Sequence, residues 1–114
     1  MPRSVPRYLL QQTMALITLV ESVNLALARA MADDPDLVLL GQDVGKDGGV
    51  FRATLGLLEK YGPQRVIDTP LAESGIIGSA IGMSIAGLKP VAEIQFSGFV
   101  YSAFEQIISH ATRL

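Results

Sequence analysis

The sequence predicts an α/β fold built on a parallel sheet, and two observations carry that expectation. Short strand-like segments at Leu37–Leu40, Val66–Ile67 and Val91–Phe96 alternate with segments of helical periodicity. A chain that alternates in this way lays its strands parallel, with helices crossing over between them. The first run is apolar at every position, the pattern of a strand covered on both faces.

The elements follow in order. Residues 1–14 read as a poorly ordered N-terminal extension and residues 15–114 as the folded part. Arg3 and Arg7 precede Tyr8-Leu9-Leu10 as in a secretory leader, but Gln11, Gln12 and Thr13 break the apolar run. Thr18-Leu19-Val20-Glu21 has the spacing of a capping box, in which hydroxyl and carboxylate satisfy each other's backbone donors. Val20, Val23, Leu27, Ala30 and Met31 then draw one apolar stripe, and Asp33-Asp34-Pro35 stops that helix. After the first strand, Gly41 to Gly49 holds four glycines and is a loop. Phe51, Leu55 and Leu58 predict a short helix that ends at Gly62-Pro63.

Val66-Ile67 marks a brief second strand. Asp68-Thr69-Pro70 turns from it into a Gly-rich helix over Ala72–Ala86. Pro90 opens the third strand, Val91–Phe96, in which Ala92, Ile94 and Phe96 alternate with Glu93 and Gln95. Val100, Phe104, Ile107, Ile108 and Ala111 give the stripe of a final helix. No glycine or proline follows the last apolar turn, and three strands leave at least one open edge. The expectation is an incomplete domain, finished by further sequence or by another chain.

Composition narrows the function. A chain of 114 residues can bury one modest core, and 49% hydrophobic with 18% charged residues is far from a disordered composition. A net charge of -2 gives no reason to expect nucleic acid or an anionic membrane as partner. The absence of cysteine excludes disulfides, zinc thiolate sites and cysteine nucleophiles, and it fits a cytoplasmic location. Ser74 to Leu88 is free of charge but too short to span a bilayer, and it holds four glycines.

The residues that could carry chemistry each have a structural alternative. Gly41-Gln42-Asp43-Val44-Gly45 follows a strand as phosphate loops do, but it lacks the G-x-G-x-x-G order, and Asp47 follows Gly45-Lys46 where a P-loop needs Ser or Thr. Glu73 falls in the first turn of the Gly-rich helix, where the helix dipole favours an acid in any protein. The same position lies at the carboxyl end of a parallel sheet, where ligand sites of α/β proteins gather. Gly78 and Gly82 lie four apart on one helix face. Each interior glycine costs about 0.8–1.0 kcal/mol relative to Ala, so a close neighbour is expected there, from within the chain or across a subunit interface. Glu93 and Gln95 either belong to an edge strand or line a buried hydrogen-bonded site. Phe96, Phe99, Tyr101 and Phe104 cluster after that strand, as core or as a stacking surface. His110 carries no catalytic expectation, and no His, Asp or Glu grouping has metal-ligand spacing.

Four segments, Gly41-Gln42-Asp43-Val44-Gly45, Gly48-Gly49-Val50-Phe51-Arg52, Asp68-Thr69-Pro70-Leu71-Ala72-Glu73-Ser74-Gly75 and Glu93-Ile94-Gln95-Phe96, together resemble one family. It is the β subunits of pyruvate and branched-chain 2-oxoacid dehydrogenases, within the thiamine-diphosphate-dependent, transketolase-like group. The similarity runs in register from about Ala15 to Leu114. It implies a parallel-sheet three-layer sandwich, the pyrimidine-binding domain, present here in part. It implies that Glu73 hydrogen-bonds a ring nitrogen of the cofactor's aminopyrimidine and promotes activation of the thiazolium, while Phe99 packs on the pyrimidine ring. Gly78 and Gly82 would lie at a subunit interface, with Gln42 and Glu93 in the polar network behind the site.

The same resemblance implies thiamine diphosphate as cofactor, with its magnesium held by a partner α subunit. A second β subunit and a lipoyl acyltransferase core are the further partners, and pyruvate is the expected substrate. Two departures qualify it. Gln42 stands where the family has glutamate, which puts proton relay between paired sites in doubt. The family's β subunits also continue well beyond this length, so the isolated chain is expected to be inactive. The rival expectations are a non-catalytic α/β interaction module and a flavodoxin-like nucleotide binder that uses the Gly41–Gly49 loop.

Overall fold

A computed structural model describes residues 16–114 of the chain; the expectation for residues 1–14 falls outside them. The order is α1 (Leu19–Asp33), β1 (Leu37–Gly41), α2 (Leu57–Tyr61), β2 (Val66–Asp68), α3 (Glu73–Ile85) and β3 (Lys89–Glu93). A last helical stretch then changes hydrogen-bond pattern twice: 3₁₀ over Ser97–Ala103, α over Phe104–Gln106 (α4) and π over Ile107–Ala111. The three strands form one parallel sheet in the order β2-β1-β3. This is the α/β architecture that the alternating pattern predicts. No described helix is long and apolar enough to cross a membrane.

β1 is the centre of the molecule. Val38, Leu39 and Leu40 are all buried, so both faces are covered, as the apolar run requires. Leu39 pairs with Val66 on one side and Val91 on the other, while Gly41 pairs with Asp68 and Glu93. Met31, Leu39, Val44, Leu57 and Val66 form the main cluster, with Leu27, Ala28, Leu58, Tyr61 and Val91 packed around it. Met31 links α1 to this cluster. At the other end of α1 the capping box forms as expected: Glu21 N–H donates to the Thr18 hydroxyl (3.1 Å) and Thr18 N–H to the Glu21 carboxylate (3.2 Å).

Four expectations need correction. The α1 stripe faces inward only towards its C-terminal end, because Val20 and Val23 are exposed. The helix expected from Phe51 begins only at Leu57. Arg52 (φ 64°) and Gly56 (φ 81°) adopt left-handed backbone that no α-helix passes through, and Phe51 and Leu55 stay exposed. Its predicted stop is right, since Gly62 ends it at φ 84° with its N–H on the Leu58 carbonyl. β3 finishes at Glu93, not Phe96. Its only sheet partner among the described residues, β1, ends at Gly41, and that residue is in register with Glu93, so Ile94 and beyond have no described ladder to join. In the final stretch the buried residue is Ala103, while Phe104 and Ile108 remain exposed.

One side chain closes the junction between α1 and β1. The last carbonyls of a helix lack intrahelical partners and need donors from elsewhere. The Arg65 guanidinium supplies them, donating to Met31 O (2.9 Å) and Asp34 O (2.7 Å), with Nε on Leu37 O (3.1 Å). Its plane lies over the Tyr61 ring, 4.9 Å from the centroid, and the Tyr61 hydroxyl donates to Ala28 O at 2.9 Å. Asp34 also pairs with Lys89 at 2.5 Å, and hydrogen bonds from Lys89 and the Asp36 N–H hold its carboxyl below the ordinary carboxylate range.

Replacing Arg65 with Met keeps the stem and removes every donor. The expected loss is about 2–3 kcal/mol of unfolding free energy in urea denaturation. Arg65→Lys should lose less than Arg65→Met, because an ammonium reaches some of these carbonyls without the planar fork.

Candidate functional site

The parallel sheet brings the carboxyl ends of all three strands to one edge, with the chain that follows each of them. The segment after β1, residues 42–56, is a fixed loop rather than a flexible connection. The Thr54 hydroxyl is buried and donates to Val44 O at 2.7 Å. Gly49 N–H reaches Asp43 O at 2.7 Å, and Asn24 of α1 donates to Ala53 O (3.1 Å) and Leu55 O (3.0 Å). Asp43 sits in left-handed backbone at φ 59°.

Asp68, the last residue of β2, accepts from Gly45 N–H at 2.7 Å and Lys46 N–H at 3.1 Å. The backbone donors that a phosphate would need are therefore occupied by an internal carboxylate. A side chain at Gly45 would meet the Asp68 carboxylate at 2.8 Å, so glycine is required there by close approach. This geometry weighs against the nucleotide-loop expectation.

The sequence-predicted residues fall into two groups. Gln42 and Glu93 lie just past β1 and at the end of β3, on neighbouring strands. The Gln42 carbonyl accepts from the Gln95 amide at 3.3 Å, and the same amide nitrogen lies 3.4 Å from the Asp43 carboxylate. Glu93 is half-buried, and one of its carboxylate oxygens is fully buried without a hydrogen-bond partner among the described residues. Burial raises its pKa above the ordinary 4.5. Of the two alternatives considered for this residue, the structure shows the edge strand; no hydrogen-bonded lining is found around its buried oxygen among the described residues.

Glu73 and Phe99 form the second group. Glu73 is the first residue of α3, half-buried, on a helix whose preceding residue, Ala72, offers no side-chain cap. Its described donor is the Ser102 hydroxyl at 3.5 Å, but Ser102 is closer to Phe99 O, at 2.9 Å. A hydroxyl has one proton to give, and the shorter bond takes it. The Glu73 carboxylate thus has its lone pairs largely unclaimed by the described residues. Phe99 is 44% exposed and meets Phe96 edge-to-face (5.3 Å, 72°); Phe96 meets Phe51 in the same way (5.4 Å, 78°). A cleft of about 250 Å³ runs along the first turn of α3 between Thr69, Pro70, Ala72, Gly75, Ile76 and Ser79. Larger hollows, of about 540 and 580 Å³, lie against α1, away from these side chains.

The two helix glycines separate. Gly78 is tight against Gln106, whose side-chain oxygen would be 3.3 Å from an added Cβ, so packing within the chain explains it. Gly82 has nothing within 4 Å among the described residues, and the close neighbour expected there is not found. Sequence reasoning missed Ser102, Asp68 and Thr54. The three-residue spacing from Phe99 to Ser102 was a usable helical signal, whereas nothing in the sequence tied Asp68 to Gly45. Among the described residues, no group of three or more His, Asp or Glu side chains is placed to hold a metal ion.

Comparison with known proteins identifies the family. The family described as the transketolase pyrimidine binding domain matches residues 15–113. The chain is 54% identical over 101 residues to the pyruvate dehydrogenase E1 component subunit beta of Acholeplasma laidlawii, covering 89% of this chain and 31% of that protein. It is 50% identical over 109 residues to the 2-oxoisovalerate dehydrogenase subunit beta of Pseudomonas aeruginosa, covering 96% of this chain and 31% of the relative. It is also 50% identical over 97 residues to a 3-methyl-2-oxobutanoate dehydrogenase subunit beta of Mycobacterium tuberculosis, covering 85% and 28%. The chain therefore spans about three-tenths of the length of these curated relatives. With nearly its whole length matched and its strand ends arranged as described, the chain belongs to the transketolase pyrimidine binding domain family.

Proposed function

We propose that this chain is the part of a 2-oxoacid dehydrogenase β subunit that seats the aminopyrimidine of thiamine diphosphate, with Glu73 as the activating carboxylate and pyruvate as substrate. One observation carries the reading: a half-buried carboxylate at the start of α3, with no donor closer than 3.5 Å among the described residues, lies next to Ser102, whose hydroxyl is bonded to the backbone of an exposed Phe99. An aminopyrimidine needs a carboxyl partner for a ring nitrogen and an apolar face beneath its ring, and these two side chains offer both. When bound, thiamine diphosphate supplies the electron sink for decarboxylation. Glu73 shares a proton with the ring nitrogen, Phe99 covers the ring face, and Ser102 holds the Phe99 backbone in place.

Gln42 and Glu93 are assigned to the polar network behind this pair. An amide at position 42 does not titrate, so a proton path through that position stops there, while Glu93 is the group in the pair that can gain or lose a proton. Magnesium and the diphosphate are assigned to an α subunit, and a second β subunit and a lipoyl acyltransferase core complete the cytoplasmic assembly. The pyruvate dehydrogenase relative at 54% identity supports the choice of pyruvate as substrate. A second reading is favoured by the apolar side chains that α1 exposes, Leu19, Val23 and Leu25: an association module without turnover. Calorimetry with thiamine diphosphate and magnesium, with and without an α subunit, separates the two, since a module of that kind gives no heat in either case.

In the full-length β chain assembled with its α subunit, Glu73→Gln should lower decarboxylation about a hundredfold or more while the fold is kept. Turnover near that of the unaltered enzyme would reject the assignment.

The Glu93 prediction has a definite sign. Its folded-state pKa is raised, so the folded chain binds the proton more tightly than the unfolded one. Below 4.5 the carboxyl is protonated in both states and contributes no penalty. As pH rises through the folded-state value, stability is lost. Glu93→Gln should therefore match the parent chain in acid and exceed its urea midpoint at neutral pH. A difference that does not change with pH would contradict this account.

A further inference from the structure

We propose that Phe51 is a positioning residue for Phe99, setting through Phe96 the tilt of the ring that faces the cofactor; this rests on the reading of Phe99 given above. The three rings form a chain. Phe51 meets Phe96 at 5.4 Å and 78°, and Phe96 meets Phe99 at 5.3 Å and 72°, so each contact is edge-to-face. That is a favoured geometry for aromatic quadrupoles, and it constrains the angle of a ring as well as its position.

Burial does not account for the arrangement. Phe51, Phe96 and Phe99 are 56%, 45% and 44% exposed, so none of them belongs to the core. The backbone of Phe99 is already fixed, since its N–H donates to Phe96 O at 2.9 Å and its carbonyl accepts from Ser102 at 2.9 Å. What remains free is the rotation of its side chain, and the Phe96 ring limits that rotation. Phe96 follows the end of β3 in extended backbone, with the Phe51 ring edge-to-face against it.

Phe51 is itself well anchored. It precedes Arg52, which holds left-handed backbone at φ 64° with its N–H on Gly49 O at 3.1 Å. Three residues later the buried Thr54 hydroxyl fixes the loop to Val44 O, and Asn24 ties the neighbouring carbonyls of Ala53 and Leu55 to α1. A rigid loop after β1 thereby reaches a ring that follows β3 without any hydrogen bond between the two rings' backbones.

The test uses the assembled enzyme with its full-length β chain, and thiamine diphosphate with magnesium as the probe. Calorimetry should show Phe51→Leu binding the cofactor about two- to tenfold more weakly, the range expected for one lost edge-to-face contact. Phe51→Tyr, which keeps the ring, should restore the affinity, and the melting temperature of all variants should stay with the parent. In a Phe99→Leu background, Phe51→Leu should add nothing, because the coupling acts through Phe99. Unchanged affinity in Phe51→Leu, an equal loss in Phe51→Tyr, or an additive loss in the double variant would overturn the proposal and leave the Glu73 reading standing. Failure of the unaltered enzyme to bind thiamine diphosphate would overturn both, and the control shows it separately.

Discussion

Because β1 hydrogen-bonds to β2 on one side and β3 on the other, all running the same way, three chain segments leave the sheet at a single edge. No other constraint in the molecule does as much to decide what meets what. The register sets Gly41 opposite both Asp68 and Glu93, so a loop, a helix start and an aromatic turn are delivered within reach of one another. The strand that makes this possible is the most deeply buried one, and its apolar side chains hold it against both layers of helix. Parallel sheets need cover on both faces, and the chemistry at their carboxyl ends depends on that cover.

Asp68 converts that edge into a specific shape. Its carboxylate receives two consecutive backbone N–H groups of the loop after β1, and glycine at position 45 lets the chain come close enough. An arrangement that elsewhere cradles a bound anion is filled here from within. The loop then turns back through left-handed backbone at Asp43 and Arg52, which places Phe51 beside Phe96.

Much of this was legible in the residues. The capping box at Thr18 and Glu21 formed both of its hydrogen bonds, β1 was covered as an unbroken apolar run demands, and the Gly-rich helix starts within one residue of its expected position. The misreadings have physical causes. Phe51, Leu55 and Leu58 keep helical spacing, but a spacing rule does not see the positive φ at Arg52 and Gly56. The alternation from Ala92 to Phe96 is real as a pattern, yet a strand lasts only as long as its partner, and β1 stops at Gly41. Val20 and Val23 share the stripe of Met31 without sharing its burial, since only the later turns of α1 reach the core cluster. At the candidate site, Glu73 could be located from the strand and turn before it. Its nearness to Ser102, and so to the segment of Phe99, depends on how the last helical stretch folds back, which local periodicity does not encode.

The Arg65 clamp has a consequence for how the chain acquires its structure. The three carbonyls it satisfies belong to residues 31, 34 and 37, yet the guanidinium arrives only with the approach to β2. A nascent chain that has emerged only through β1 leaves those acceptors to water, and the corner between helix and strand stays loose. The α1–β1 and α2–β2 units are therefore bound into one cooperative step rather than added in sequence. Protection of the residue 31–37 corner in pulse-labelled hydrogen exchange would then appear together with that of β2, never ahead of it.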